Sequence, residues 1–326
     1  MEPPMPLVSV IIPTYNRSAF LRNAIQSVLK QTFRDFEILV VDDASQVNVQ
    51  QIIEELGDCR IRLFRHDRNR GEAAARNTGV LYAKGEYLAF LDDDDEWLAE
   101  KLEKQVSVLS NEPPSVGGVY TGFFVVDITD ETLLYTKIPS ISGTIYRELL
   151  RHNVIGTPST LMVRRACIDR VGLFDGSIVY GVDHDLYLRI ARYFTFACIP
   201  EPLVRYHVHD ARMSNDPDVV LRGMKALTQR YGRERGGLVN RKVLGCGYYD
   251  AGIACIDRNQ RKRAQALFLR SILMNPLEWL SYHQFVCSLF EERQIQALKR
   301  LKRRLFPLKT EYDPNGVRRL PIGNMK

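Results

Sequence analysis

No apolar run in these 326 residues approaches the ~18 consecutive residues that a membrane-spanning helix needs. The opening MEPPMPLVSV lacks the basic-then-apolar order of a secretory leader, so the chain is expected in the cytoplasm. Cysteine is scarce and scattered. Cys59, Cys167, Cys198, Cys246, Cys255 and Cys287 form no C-x-x-C, which argues against a zinc site or a disulfide framework and leaves reduced, mostly buried small hydrophobes. Neither sign of charge prevails strongly: the net charge is +6, with much of the excess after residue 255 in RNQRKR and ALKRLKRRLF. A basic end favours anionic partners. The aromatic interleaving that base stacking requires is missing there, so nucleic acid is not an expected partner. Within IQALKRLKRRLFPL, Ile295, Leu298, Leu301 and Leu305 share one face among Lys and Arg. That pattern suits two readings: peripheral contact with an anionic membrane surface at the inner face, or a solvated helix packed on its own domain.

What the chain does have is alternation. LVSVIIP, FEILVVDD, RIRLFRH and EYLAFLDD read as strands, and NRSAFLRNAIQSVLKQ, VNVQQIIEEL and GEAAARNTGVLYA between them as helices, the first capped by Asn16 or Ser18. This predicts an α/β fold with a mostly parallel, Rossmann-like sheet covered by helices on both faces. Ligands of such sheets bind at the carboxyl ends of strands, so PTYN, DDAS and DDDDEW should share one rim. From about Asn111 the pattern loosens into strands (VGGVYTGFFVVD, STLMVRR, FACIP, LVRYHVH) and one helix, DHDLYLRIARYF. After Asn215 everything reads helical, and GYYDAGIACIDRNQRKRAQALFLRSILMNP resembles one tetratricopeptide-like hairpin, with Gly252, Ala254 and Ala264 where two helices would touch. The expected organisation is a first domain over 1–215 and a C-terminal α-helical appendage over 216–326.

The run FLDDDDEW sets Asp92, Asp93, Asp94 and Asp95 side by side at a strand end. Close like charges repel by roughly 1 kcal/mol or more per pair at intermediate dielectric. A bound Mg2+ or Mn2+ would remove that repulsion, because hard cations take oxygen ligands. Taken alone, the run reads rather as a solvated acidic loop at the start of a helix, EWLAEKLEKQVSVL.

The ordered set VSVIIPTYNR, VVDDAS, NRGEAAARNTGVLYAKGEYLAFLDDDDEW, DHDLYLRIA and VRYHVHDARMS resembles the family 2 glycosyltransferases over roughly residues 7 to 215. The resemblance implies the GT-A (nucleotide-diphospho-sugar transferase) fold. It also implies a metal-dependent, hexosyltransferase-like inverting reaction, moving a sugar from a nucleotide-diphosphate donor to a glycan or lipid-linked acceptor in cell-surface polysaccharide or glycolipid synthesis. Residues 1–110 then form the nucleotide-sugar-binding half and 111–215 the acceptor-binding half.

Carried over by motif, Pro13, Thr14 and Tyr15 border the base, Asp43 with Asp42 beside it bonds the base, and Arg76 lies near the phosphates. Asp92–Asp94 is the D-x-D equivalent. Within it Asp94 is the expected Mn2+ or Mg2+ ligand, Asp92 faces the ribose or the metal's water shell, Asp93 is a spacer in the donor-binding set, and Asp95 is expected to cap the next helix. Asp183 in GVDHDLYLR holds the catalytic base position, while Val182 replaces the family's usual Glu. His209, five residues before Ser214, is expected on the metal or the diphosphate. Without cation and diphosphate the acidic loop should be a strained, mobile sheet edge. A rival from another class is a catalytically degenerate nucleotide-sugar-binding or scaffolding protein, which would be expected to lose Asp94 or Asp183.

Overall fold

The computed structural model describes residues 5–209 and 215–289. Ser214 and the basic tail, with the membrane expectation attached to it, lie outside the described residues. The chain forms two compact units, one built from residues up to Val126 and Tyr135–His207, the other from Asp127–Leu134 and residues from Val208 on.

The first unit opens with β1 (Val8–Thr14), α1 (Ser18–Leu29), β2 (Phe36–Asp42), α2 (Val49–Leu56), β3 (Ile61–Arg65), α3 (Glu72–Tyr82) and β4 (Tyr87–Phe90). These strands pair in parallel in the order β3-β2-β1-β4. Every residue of β1 and β2 is buried, as strands covered on both faces require. The chain lays β2 and β3 to one side of β1 and β4 to the other, so the crevice at the carboxyl ends of β1 and β4 is the topological switch point.

Beyond β4 come β5 (Glu96–Trp97), α4 (Lys101–Asn111), β6 (Val116–Asp127), β7 (Leu133–Lys137), α5 (Tyr146–Arg151), β8 (Leu161–Arg164), α6 (Arg165–Val171), α7 (Val182–Ala191) and β9 (Thr195–Val208). Here β8 runs antiparallel to both β4 and β6, and β5 antiparallel to β9. The sheet is therefore mixed, with parallel pairing among the first four strands and antiparallel pairing of β8 and β5 with their neighbours. The regular strand–helix crossovers that force parallel pairing stop at β4. FACIP and LVRYHVH, read as two strands, form the single β9, since the fixed φ of Pro200 and Pro202 is compatible with extended backbone.

The cap of α1 also differs from expectation. Arg17 occupies the cap position, and its side chain does not bond the helix's first amides. Asn16 instead adopts φ 56, and its Oδ1 accepts from the Gln46 N–H at 2.6 Å. Its amide joins two rim loops rather than capping. Ala44, across this junction, is also left-handed at φ 65, a conformation costing roughly 1–2 kcal/mol for a residue with a Cβ.

The second unit contains α8 (Pro217–Asp257), interrupted at Gly236 (φ 71, ψ 161), then α9 (Arg261–Met274) and α10 (Trp279–Leu289). Asp216 caps α8 by accepting from the N–H groups of Asp218 and Val219. Small residues let α8 and α9 approach: Ala254 and Ala264 are buried, and a Cβ on Gly252 would lie 2.5 Å from Phe268 Cε1. The fully buried Ser271 donates to the Gly245 carbonyl at 2.7 Å and therefore accepts from Ser281, also at 2.7 Å. No helix of the described residues is long and apolar enough to cross a membrane.

Candidate active site

The rim is built where β1, β2 and β4 end. Thr14, last in β1, donates from Oγ1 to Asp93 Oδ2 at 2.7 Å and so fastens the strand to the acidic loop. Pro13 precedes it opposite Val41, and Tyr15 lies just past the strand, 44% exposed. Asp42 is fully buried and accepts from Ser45 N at 2.8 Å and Arg65 Nη1 at 2.6 Å. Asp43 accepts from the backbone N–H groups of Arg70 (2.8 Å) and Gly71 (2.7 Å) and meets His66 Nδ1 at 2.6 Å. Three of the roughly four acceptor sites of its carboxylate are thus engaged in shaping the loop before α3.

The acidic loop is cross-braced rather than a strained edge. Asp92 meets Arg76 Nη2 at 2.5 Å and accepts from Thr157 Oγ1 at 3.2 Å. Asp93, expected as a spacer, is an anchor, taking Arg17 Nη1 at 3.1 Å as well as Thr14. The same Arg17 nitrogen lies 2.7 Å from Asp94 Oδ2. Asp95 caps no helix: α4 starts only at Lys101, after β5, and Asp95 is buried, accepting from Ser159 Oγ (2.5 Å) and His207 N (3.3 Å). His207 Nδ1 also donates to the Asp94 carbonyl at 2.7 Å, so that nitrogen carries the hydrogen.

The repulsion expected from four clustered charges is answered by guanidiniums delivered from α1 and α3. Burial, reinforced by the Asp94 charge, still lifts the Asp93 carboxyl to about 7 against the pull of Arg17. Burial likewise raises Asp92 against Arg76, and raises Asp95 well above the usual range with the charges of Asp94 and Asp92 adding to it.

Arg76 is only 1% exposed, also pairs with Glu72 one turn earlier on α3, and lies 5.5 Å from the centre of the Phe174 ring. Its Nε is buried without a hydrogen-bond partner among the described residues. Its neighbour Asn77 exchanges two 2.9 Å hydrogen bonds with the Phe174 backbone, tying α3 to the segment that leads into α7. Asp183, in the first turn of α7, comes under the charges of Arg76, Glu72 and Asp92. Burial pushes its carboxyl up to about 6, with Arg76 opposing and Glu72 and Asp92 adding.

One turn further on, the buried Tyr187 hydroxyl has no partner among the described residues; burial raises it strongly, and Asp183 adds to that. The sequence reading passed over Tyr187, although its spacing of four from Asp183 puts both on one helix face. It also gave no role to Arg17 or to the loop-bracing of His207. Val182 is buried, and His209 lies in the second unit just past β9, its carbonyl accepting from Asn215 Nδ2 at 3.3 Å.

Among the described residues no three His, Cys, Asp or Glu side chains are gathered closely enough to hold an ion by themselves. The oxygen donors of Asp92–Asp94 nevertheless match Mg2+ and Mn2+, which are commonly held by one or two carboxylates plus substrate phosphates. The orphaned Arg76 Nε is a donor suited to a phosphate oxygen, since a buried unpaired N–H is costly. The residues fit a cation that arrives with a diphosphate.

A family model described as glycosyl transferase family 2 matches residues 9–172, half of the chain. The chain belongs to this family. An uncharacterized glycosyltransferase of Rickettsia typhi is 33% identical over 64% of this family 2 chain and 66% of its own length, so the chain spans just under two thirds of that relative. The Escherichia coli protein named UDP-Glc:alpha-D-GlcNAc-diphosphoundecaprenol beta-1,3-glucosyltransferase WfgD is 34% identical over 57% of this chain and 70% of its own length. Among solved structures, the mannosyltransferase PcManGT of Pyrobaculum calidifontis, in complex with GDP-Man and Mn2+, aligns with a TM-score of 0.57 at 19% identity, over 87% of this chain and 86% of its own. At that identity the likeness speaks for the fold, which is GT-A.

Proposed function

We propose that this family 2 chain is an inverting glycosyltransferase that moves a sugar from a nucleotide-diphosphate donor to an acceptor hydroxyl in cell-surface polysaccharide or glycolipid synthesis. The observation that carries the reading is the convergence of Asp183, raised by burial to about 6, on a buried Arg76 with an unused Nε. Asp183 takes the proton of the attacking hydroxyl, a contribution of typically 10²–10⁴-fold. Its raised carboxyl remains ionised at neutral pH while being a stronger base than an exposed aspartate. Arg76 gives its Nε–H to a phosphate oxygen of the donor.

Pro13, Thr14, Tyr15, Asp42 and Asp43 form the base end, Asp42 and Asp43 partly by stiffening the loops around it, and Asp92 and Asp93 the ribose side. Asp94 holds Mn2+ or Mg2+. When bound, that ion stabilises negative charge on the leaving diphosphate as a Lewis acid. Asp94 and Asp183 are both retained, which counts against the degenerate alternative. The name of the Escherichia coli relative supports a lipid-linked acceptor. Peripheral attachment of residues 290–326 to the inner membrane face fits such an acceptor, and equal liposome flotation of full-length and shortened chains would dismiss it.

The decisive experiment is Asp183→Asn, assayed for transfer and for donor binding by thermal shift with nucleotide sugars and Mn2+. Transfer should fall by about 10²-fold or more with donor binding kept. Full activity in this variant would end the mechanism.

A further inference from the structure

We propose that Arg17 is a resident counter-cation of the acidic loop that couples metal to donor: a divalent ion reaches the Asp94 carboxylate only as a nucleoside diphosphate takes over the guanidinium. This rests on the metal-dependent reading above. One nitrogen, Arg17 Nη1, bridges Asp94 Oδ2 (2.7 Å) and Asp93 Oδ1 (3.1 Å). A cation about 2.1 Å from that Asp94 oxygen would compete with the guanidinium for it and repel its charge. A diphosphate removes the conflict by offering Arg17 new anionic acceptors.

The two arginines of the site are built differently for these tasks. Arg76 is 1% exposed and pinned between Glu72 and Asp92. Arg17 stands at the start of α1 with its side chain 26% exposed, so it reaches the loop from the solvent side and can leave without opening the core. Releasing it does not strand Asp93 or the loop backbone, because Thr14 still holds Asp93 and His207 still holds the Asp94 carbonyl. By linkage, whatever diphosphate does for cation affinity, the cation does equally for diphosphate affinity.

The test is Mn2+ titration of the full-length chain, with free ion followed by electron paramagnetic resonance, alone and with UDP or GDP. Wild type should bind Mn2+ weakly alone and about tenfold or more tightly with a nucleoside diphosphate. Arg17→Ala should bind Mn2+ alone about tenfold more tightly than wild type, with the nucleotide enhancement reduced by the same factor. Arg17→Lys keeps the charge and should stay close to wild type, and it serves as the folded reference if Arg17→Ala melts early. Unchanged or weaker binding of Mn2+ alone in Arg17→Ala, with nucleotide-dependent binding intact, would overturn the inference and leave the transferase reading standing. No Mn2+ binding to any variant, with or without nucleotide, would remove the inference and the metal reading together.

Discussion

The sheet unit and the helical unit differ in what they bury. Around the rim ionisable groups are buried together, beside hydroxyls such as those of Thr14 and Ser159: Asp42, Asp43, Arg76, Asp93 and Asp95 are all at most 5% exposed. The carboxylates are held from distant parts of the chain, Asp93 by the Thr14 hydroxyl and the Asp94–Asp95 stretch by His207. Where α8, α9 and α10 meet, the described buried polar side chains include the hydroxyls of Ser271, Ser281 and Ser288 and the amide of Asn275, with Arg235 buried elsewhere on α8 and no carboxylate among them, while Trp279, Tyr282, Val286 and Leu289 face outward. Buried ion pairs contribute little net stability, and apolar residues of similar volume often do as well or better. The charged rim is therefore better understood as holding groups in position for a ligand than as a source of stability.

The comparison breaks first at Arg76. Arg76→Met would leave the partly buried Asp92 beside Glu72 with no opposing charge, and should cost about 3 kcal/mol, read by denaturant unfolding of the sheet unit. A loss under ~1 kcal/mol would mean the rim charges are solvated and independent. The pH dependence is the next largest effect. Asp183 must be ionised to act and its carboxyl is raised to about 6, so kcat/KM should fall about tenfold per pH unit below 6 and level off above it. For stability the sign is opposite. A raised carboxyl binds its proton more tightly in the folded chain, so its contribution is fully present below the ordinary carboxylate range and is lost as pH rises through about 6.

In the helical unit the expected effects are smaller and act through packing. Gly252→Ala places a methyl 2.5 Å from Phe268 Cε1 and should cost about 1–3 kcal/mol, with transfer chemistry in the surviving folded fraction unchanged. Ser271→Ala removes the donor to the Gly245 carbonyl and the acceptor for Ser281, for about 1–2 kcal/mol. Both are read by melts of purified protein. A gain in stability from Ser271→Ala would show that the buried hydroxyls are not needed for the three-helix contact.

The sequence makes the two units unequally legible. The first four strands and their helices follow from period alone, and the rule that ligands sit at strand ends brings Thr14, Asp42 and Asp92 to one rim before any coordinates. The antiparallel half is not legible that way, because β8 and β9 present apolar runs like any other and only pairing fixes their direction. Asp95 was misread for a physical reason: an Asp ahead of a helical pattern is the ordinary capping signal, but here β5 intervenes. Arg17 was passed over because its partners lie 76 and 77 residues away, and charge counted along the chain does not tell which cation will neutralise which anion.

The smallest expected effect tests whether the outward face of α10 takes part in folding at all. Trp279 is 59% exposed, and Tyr282, Val286 and Leu289 continue the same stripe while Ser281 and Ser288 face inward. If this face is covered by nothing that folds with the unit, Trp279→Ser removes mainly solvent-exposed area and should change stability by no more than about 0.5 kcal/mol. A Trp279→Ser loss of more than ~1.5 kcal/mol in the full-length chain would mean that the stripe is covered in solution, and that the helical unit has a core on both sides of α10.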